Sequence, residues 1–128
     1  MSAFSNYLEN ALLNATLRNT TYTSPGAVYV GLFTSDPTDA GTGVEVTGGS
    51  YVRKTATFAA PSSGTCATNA DVQFDQATAD WGLVTHFGIF DASSGGNLLY
   101  HGQLTASKNI ETGDVFKINS GNLTVTLA

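Results

Sequence analysis

The sequence predicts an all-β domain: an antiparallel β-sandwich of about seven to nine short strands with an amphipathic α-helix at its N-terminus. Three observations carry the prediction. Beyond residue 20, short apolar runs recur at intervals of about 8 to 14 residues between clusters of Gly, Pro, Asn, Asp and Ser, with no helical period between them. Charged residues make up only 12% of the 128 residues against 41% hydrophobic, so the surface must be polar without being charged. Eighteen Thr and eleven Ser supply that polarity, and the branched Cβ of Thr packs well on a pleated surface. Only the first segment has helical spacing.

That segment predicts a helix over roughly residues 3 to 17, with Phe4, Leu8, Ala11, Leu12 and Ala15 on one stripe and Asn6 with Glu9 as a capping box. Full burial of Phe4, Leu8 and Leu12 would contribute about 5 to 9 kcal/mol, so something must cover the stripe, either its own domain or a neighbouring subunit. The domain accordingly divides into a helical part, 1–20, and a sandwich, 21–128. Pro25-Gly26 marks the turn into "AVYVGLF", a strand apolar on both faces and hence covered on both sides. The polar loop "TSDPTDAGTG" follows, then a short strand, the Gly48-Gly49 turn and a strand near residues 51–59. One or two short strands fall in 65–75. "LVTHFGIFD" and "LLYHGQL" form a hairpin across "ASSGGN", with positions 90 and 98 approximately paired, and two further strands separated by Asn119-Ser120-Gly121 end the chain.

The composition limits function. A net charge of −5 with five Lys and Arg argues against nucleic acid as a partner, because that affinity comes from cations that displace counterions. Cys66 is alone, which excludes a disulfide within the chain and a paired-thiolate metal site. The N-terminus lacks the pattern of a signal peptide and no run of about 18 apolar residues occurs, so folding in a cytoplasm without a membrane is expected.

Candidate chemistry is sparse. His86 and His101 sit on facing strands, where a one-residue slip of register would bring them to one face, but no third ligand has suitable spacing for zinc. A pH-sensitive contact is the sharper alternative to two structural histidines. No G-x-S-x-G is present, and the glycine pairs lack the Lys-Ser/Thr of a phosphate loop. Asp36 and Asp39 form turns or hold Ca²⁺; Glu9, Glu45 and Glu111 read as solvated. Tyr22, Tyr29, Tyr51, Trp81, Phe87, Phe90 and Tyr100 are mostly core, with some available to stack on a host surface glycan. No catalytic residue, metal or cofactor is expected.

"LFTSDP", "EVTGGSYVR" and "ATADWGLVTHFGIFD", within a match covering nearly the whole chain including the helix, resemble a family of small tailed-bacteriophage virion proteins labelled tail fibre or minor tail protein. The resemblance implies a non-enzymatic structural role in the virion, for a chain made in the bacterial cytoplasm. It implies non-covalent contacts with other virion proteins and with further copies of the chain. A capsid decoration (cement) protein and a host-glycan-binding module are the alternatives. Phe4, Leu8 and Leu12 are the candidate subunit or virion contacts, with Asp36, Asp39 and Tyr51 as loop contacts.

Overall fold

The computed structural model describes residues 2–127; Met1 and Ala128, the outer ends of the two parts expected from the sequence, lie outside them. The element order is β1 (Ser2–Phe4), α1 (Asn6–Leu17), β2 (Val28–Phe33), β3 (Lys54–Ala56), β4 (Thr65–Ala67), β5 (Val72–Gln73), β6 (Gly82–Phe90), β7 (Leu98–Ile110), β8 (Lys117–Ile118) and β9 (Thr124–Thr126). One antiparallel sheet runs β1-β7-β6-β2-β3, and two small ladders, β4-β9 and β5-β8, form the opposing layer. Val30, Leu32, Val84, Phe87 and Ile89 of the large sheet close the core against Val72, Phe74, Phe116, Ile118, Leu123 and Val125. This is the expected sandwich.

The doubly apolar reading of β2 holds because both of its faces are covered. Val30 and Leu32 face the core, while Phe33 joins Phe90 and Leu98 in a second apolar cluster on the other side. Between them Gly31 lies directly opposite Gly88 of β6. A Cβ on Gly31 would fall 2.7 Å from Glu45 Oε2, and one on Gly88 would fall 2.8 Å from Leu98 Cδ1 and 2.9 Å from Phe33. The two glycines make a depression in the sheet into which the second cluster settles.

Several local expectations are corrected. The described residues begin with a three-residue strand, because Ser2, Ala3 and Phe4 pair with Gly102, His101 and Tyr100 at the edge of β7. The helix therefore starts at Asn6, and its cap is Ser5 rather than an Asn6–Glu9 box: Ser5 Oγ accepts the Leu8 N–H at 3.1 Å. The strand expected over 51–59 shortens to β3, since Tyr51 and Arg53 turn their side chains into a polar network instead. The return strand of the hairpin does not stop at Leu104; β7 runs on to Ile110 with an irregularity opposite Thr85. There Val84 leaves the face expected to hold His86 and joins Phe87 and Ile89 in the core, while Leu83 becomes exposed.

Candidate functional site

Five of the six residues singled out from the sequence fall into two adjoining groups, and Tyr51 lies in a third place against Phe74 and Trp81. Phe4, Leu8 and Leu12 belong to the N-terminal arm, β1 plus α1. Within the single chain Leu8 is buried, whereas Phe4 and Leu12 are only partly covered. Phe4 sits edge-on to Tyr100, with ring centroids 5.4 Å apart. The junction is held by backbone groups. Ser5 N–H donates to Leu99 O at 2.9 Å, Asn6 N–H to Asp39 O at 2.8 Å, and the Ser5 hydroxyl to Leu98 O. Ser5 is buried, so its hydroxyl satisfies the helix end and the strand edge at once. On the outer side Tyr7, Leu13 and Leu17 are 43%, 54% and 76% exposed. Glu9 is the one charged side chain between Asn6 and Leu17.

Asp36 and Asp39 are not an isolated turn pair. The loop between β2 and Val46 folds back over the sheet with Pro37 buried, and Asp39 Oδ1 lies 2.8 Å from His101 Nε2. Asp36 Oδ1 is 3.9 Å from His101 Nδ1 and accepts the Thr38 N–H in an Asx turn. The loop and the arm thus meet at one imidazole: Asp39 offers its carboxylate to His101 and its carbonyl to the helix. Register explains how His101 gets there. Phe90 pairs with Leu98 but Ile89 pairs with Tyr100, so one extra residue enters β7 at Leu99. His101 then lies opposite Gly88 rather than Phe87, on the same face as His86. The two histidines nevertheless have separate partners, since His86 Nδ1 is 2.7 Å from Thr85 Oγ1. Among the described residues no three His, Cys, Asp or Glu side chains are grouped to hold a metal.

Tyr51 and Glu45 depart most from expectation. Tyr51, expected as a loop contact, is partly buried, stacked on Phe74 and edge-on to Trp81. Its hydroxyl accepts the Leu32 N–H at 2.9 Å, where β2 has run past β3, and donates to Glu45 Oε2 at 2.6 Å. Burial, followed by that bond to Glu45, pushes the Tyr51 phenol far above its ordinary range. Glu45 is not solvated either: it takes both Nε and Nη2 of Arg53 at 2.9 Å, a bidentate pair in which the Arg53 side chain is 9% exposed. The guanidinium lies 3.5 Å from the centroid of Phe90 and donates onward to Ala92 O and Gly95 O. Arg53 therefore pins the 91–97 turn to the sheet, as Asp91 does from within by accepting the Asn97 N–H at 2.7 Å.

Sequence reasoning missed Gly31, Gly88 and Arg53. The signals were present: a lone glycine inside each of two apolar strands marks a close approach, and Glu45 and Arg53 flank the Gly48-Gly49 turn that brings them face to face. Of the aromatic groups considered for stacking on a glycan, Tyr22, Tyr29, Tyr51 and Tyr100 are partly covered. Trp81, Phe87 and Phe90 are buried, and Trp81 Nε1 donates to Gly49 O. What the surface offers instead is the outer face of α1 beside an open cleft of ≈ 560 Å³ lined by Phe4, Glu9, Asn10, Leu12 and Leu13.

The family model that matches the chain spans residues 3–126 and is described as Podophage GP4 fiber I protein gp80. No curated protein matches the chain.

Proposed function

The chain belongs to this family of podophage fibre proteins, a structural component of the virion, and from that premise we propose that it assembles into the tail fibre through its N-terminal arm. The observation that carries the reading is the outer face of α1. Leu13 and Leu17, one turn apart on a nearly uncharged helix, are among the exposed large apolar side chains, and only Leu8 of the helix is buried. Burying two leucines against a partner would contribute about 3 to 6 kcal/mol, and a fibre repeats such a joint, so modest contacts add up. The junction joins Ser5, Asn6, Leu98, Leu99 and Asp39 through hydrogen bonds. Its polar groups serve to fix the direction in which the helix leaves the sheet.

The test uses substitutions that leave the fold intact. Leu13→Asp and Leu17→Asp together should shift thermal unfolding of the isolated chain little, since both side chains already face solvent. The same pair should abolish higher-order species in native mass spectrometry and incorporation into particles. Unchanged incorporation would remove α1 from the assembly. Copy number per particle separates this reading from capsid decoration, because an appendage carries far fewer copies than a shell.

A further inference from the structure

We infer that the arm, β1 and α1, is exchanged between copies of this chain, so that the β7 edge of one copy is completed by Ser2–Phe4 of the next. The inference rests on the reading that copies join through the arm and specifies the surface each arm meets. That surface is continuous: the edge of β7 at Tyr100–Gly102, the carbonyls of Leu98 and Leu99, the Tyr100 ring and the Asp39 carbonyl. Each of these groups meets the arm, and none of the contacts depends on the arm and the sheet being on one chain.

The connector allows it. Between the helix and β2, no described hydrogen bond ties residues 21–27 to the rest of the molecule; the last are those of Arg18 and Thr20 to Asn14 and of Thr20 to Arg18. Most of residues 18–27 are exposed. Ten such residues reach about 33 to 36 Å when extended, comparable with the width of a domain whose radius of gyration is about 14 Å. Exchange keeps every native contact of the arm and turns it into a joint between copies, a route to association at low energetic cost.

The low charge of the arm suits a joint with a second copy. Copies that each carry −5 repel one another, so a joint between them favours a surface poor in charge. From Ser2 to Leu17 the arm has Glu9 alone.

The experiment uses the strand register. Because Ser5 N–H bonds to Leu99 O, Phe4 and Tyr100 occupy the neighbouring pair that is not hydrogen-bonded, where facing side chains are closest. Phe4→Cys/Tyr100→Cys, made with Cys66→Ser so that no third thiol competes, is oxidised and run on a denaturing gel without reductant. Exchange predicts that the bulk of the chain migrates as covalent dimers and larger species. An oligomer by native mass spectrometry whose chains migrate as internally cross-linked monomers overturns exchange while leaving arm-mediated assembly standing. A monomer at all concentrations overturns both. Should the double variant not fold, isotope-filtered NMR on a refolded mixture of labelled and unlabelled wild-type chain decides: a Phe4–Tyr100 ring contact between differently labelled copies supports exchange, and one confined to single copies overturns it.

Discussion

Gly31 and Gly88 show how much a single residue can specify here. Each lacks a side chain in the middle of an otherwise apolar strand, and each is where another group presses on the backbone: Glu45 and Tyr51 over Gly31, Leu98 and the Phe33 and Phe90 rings over Gly88. Gly88→Ala should destabilise the protein by about 1 to 3 kcal/mol in denaturant unfolding, as overpacking does. Gly26→Ala is the control, with nothing within 4 Å of its would-be Cβ, and should stay within about 0.5 kcal/mol of wild type. Tyr51 gives a pH dependence of definite sign. Its phenol is pushed upward by burial and by its bond to Glu45, so the folded state favours the neutral form. That contribution is fully present below the ordinary phenol pKa of about 10 and is lost as the pH rises above it toward the folded value. Alkaline titration should therefore release the Tyr51 phenolate together with loss of far-UV dichroism, and Tyr51→Phe should remove that step. Removing Glu45 is harsher: Glu45→Ala leaves the enclosed Arg53 guanidinium without its carboxylate partner and should cost about 3 kcal/mol.

At the scale of elements, the helix shows what periodicity can and cannot locate. The recurrence of Phe4, Leu8 and Leu12 signals an amphipathic segment, but it cannot tell that Phe4 is extended, because a residue four before Leu8 fits a helical stripe and a strand edge equally well. The edge of β7 decides the matter by offering backbone partners to Ser2, Ala3 and Phe4, and Ser5 then becomes the cap. Likewise β6 and β7 read clearly as a hairpin, whereas the extra residue at Leu99, which turns His101 toward Asp39, leaves no trace in composition. Polar partners from distant stretches, such as Glu45 with Arg53 and Asp39 with His101, escape for the same reason: their pairing depends on how loops fold back. Ser5→Ala tests the cap directly. It removes the acceptor for Leu8 N–H and the donor to Leu98 O, and should weaken helix docking by about 1 to 2 kcal/mol. Faster amide exchange at residues 7–9 is the readout.

Across the whole molecule the sandwich was legible because its signal is spread over every strand, with turns at regular spacing and core residues alternating on sheet faces. The attachment of the arm was not, because it depends on a handful of backbone bonds at one edge. That contrast has a thermodynamic counterpart. Strands β2 and β6 lie inside the large sheet, covered on both faces by the two apolar clusters, and their amides can exchange only when the sandwich opens. The arm is held by β1, the Ser5 and Asn6 bonds and one buried leucine, so it can leave while the sandwich stays folded. Local opening of this kind has a free energy well below that of global unfolding. Native-state hydrogen exchange should then resolve two units in dilute, unassembled protein: residues 3–17 opening at low denaturant with a small slope, and Val30, Leu32, Phe87 and Ile89 opening only with the global transition. His101→Ala should speed exchange of the arm and leave the β2 and β6 amides much less affected, because the imidazole positions Asp39, whose carbonyl receives the Asn6 N–H. A single common opening free energy for arm and core would show that the arm is an integral part of the sandwich and could not be released to meet another copy without unfolding it.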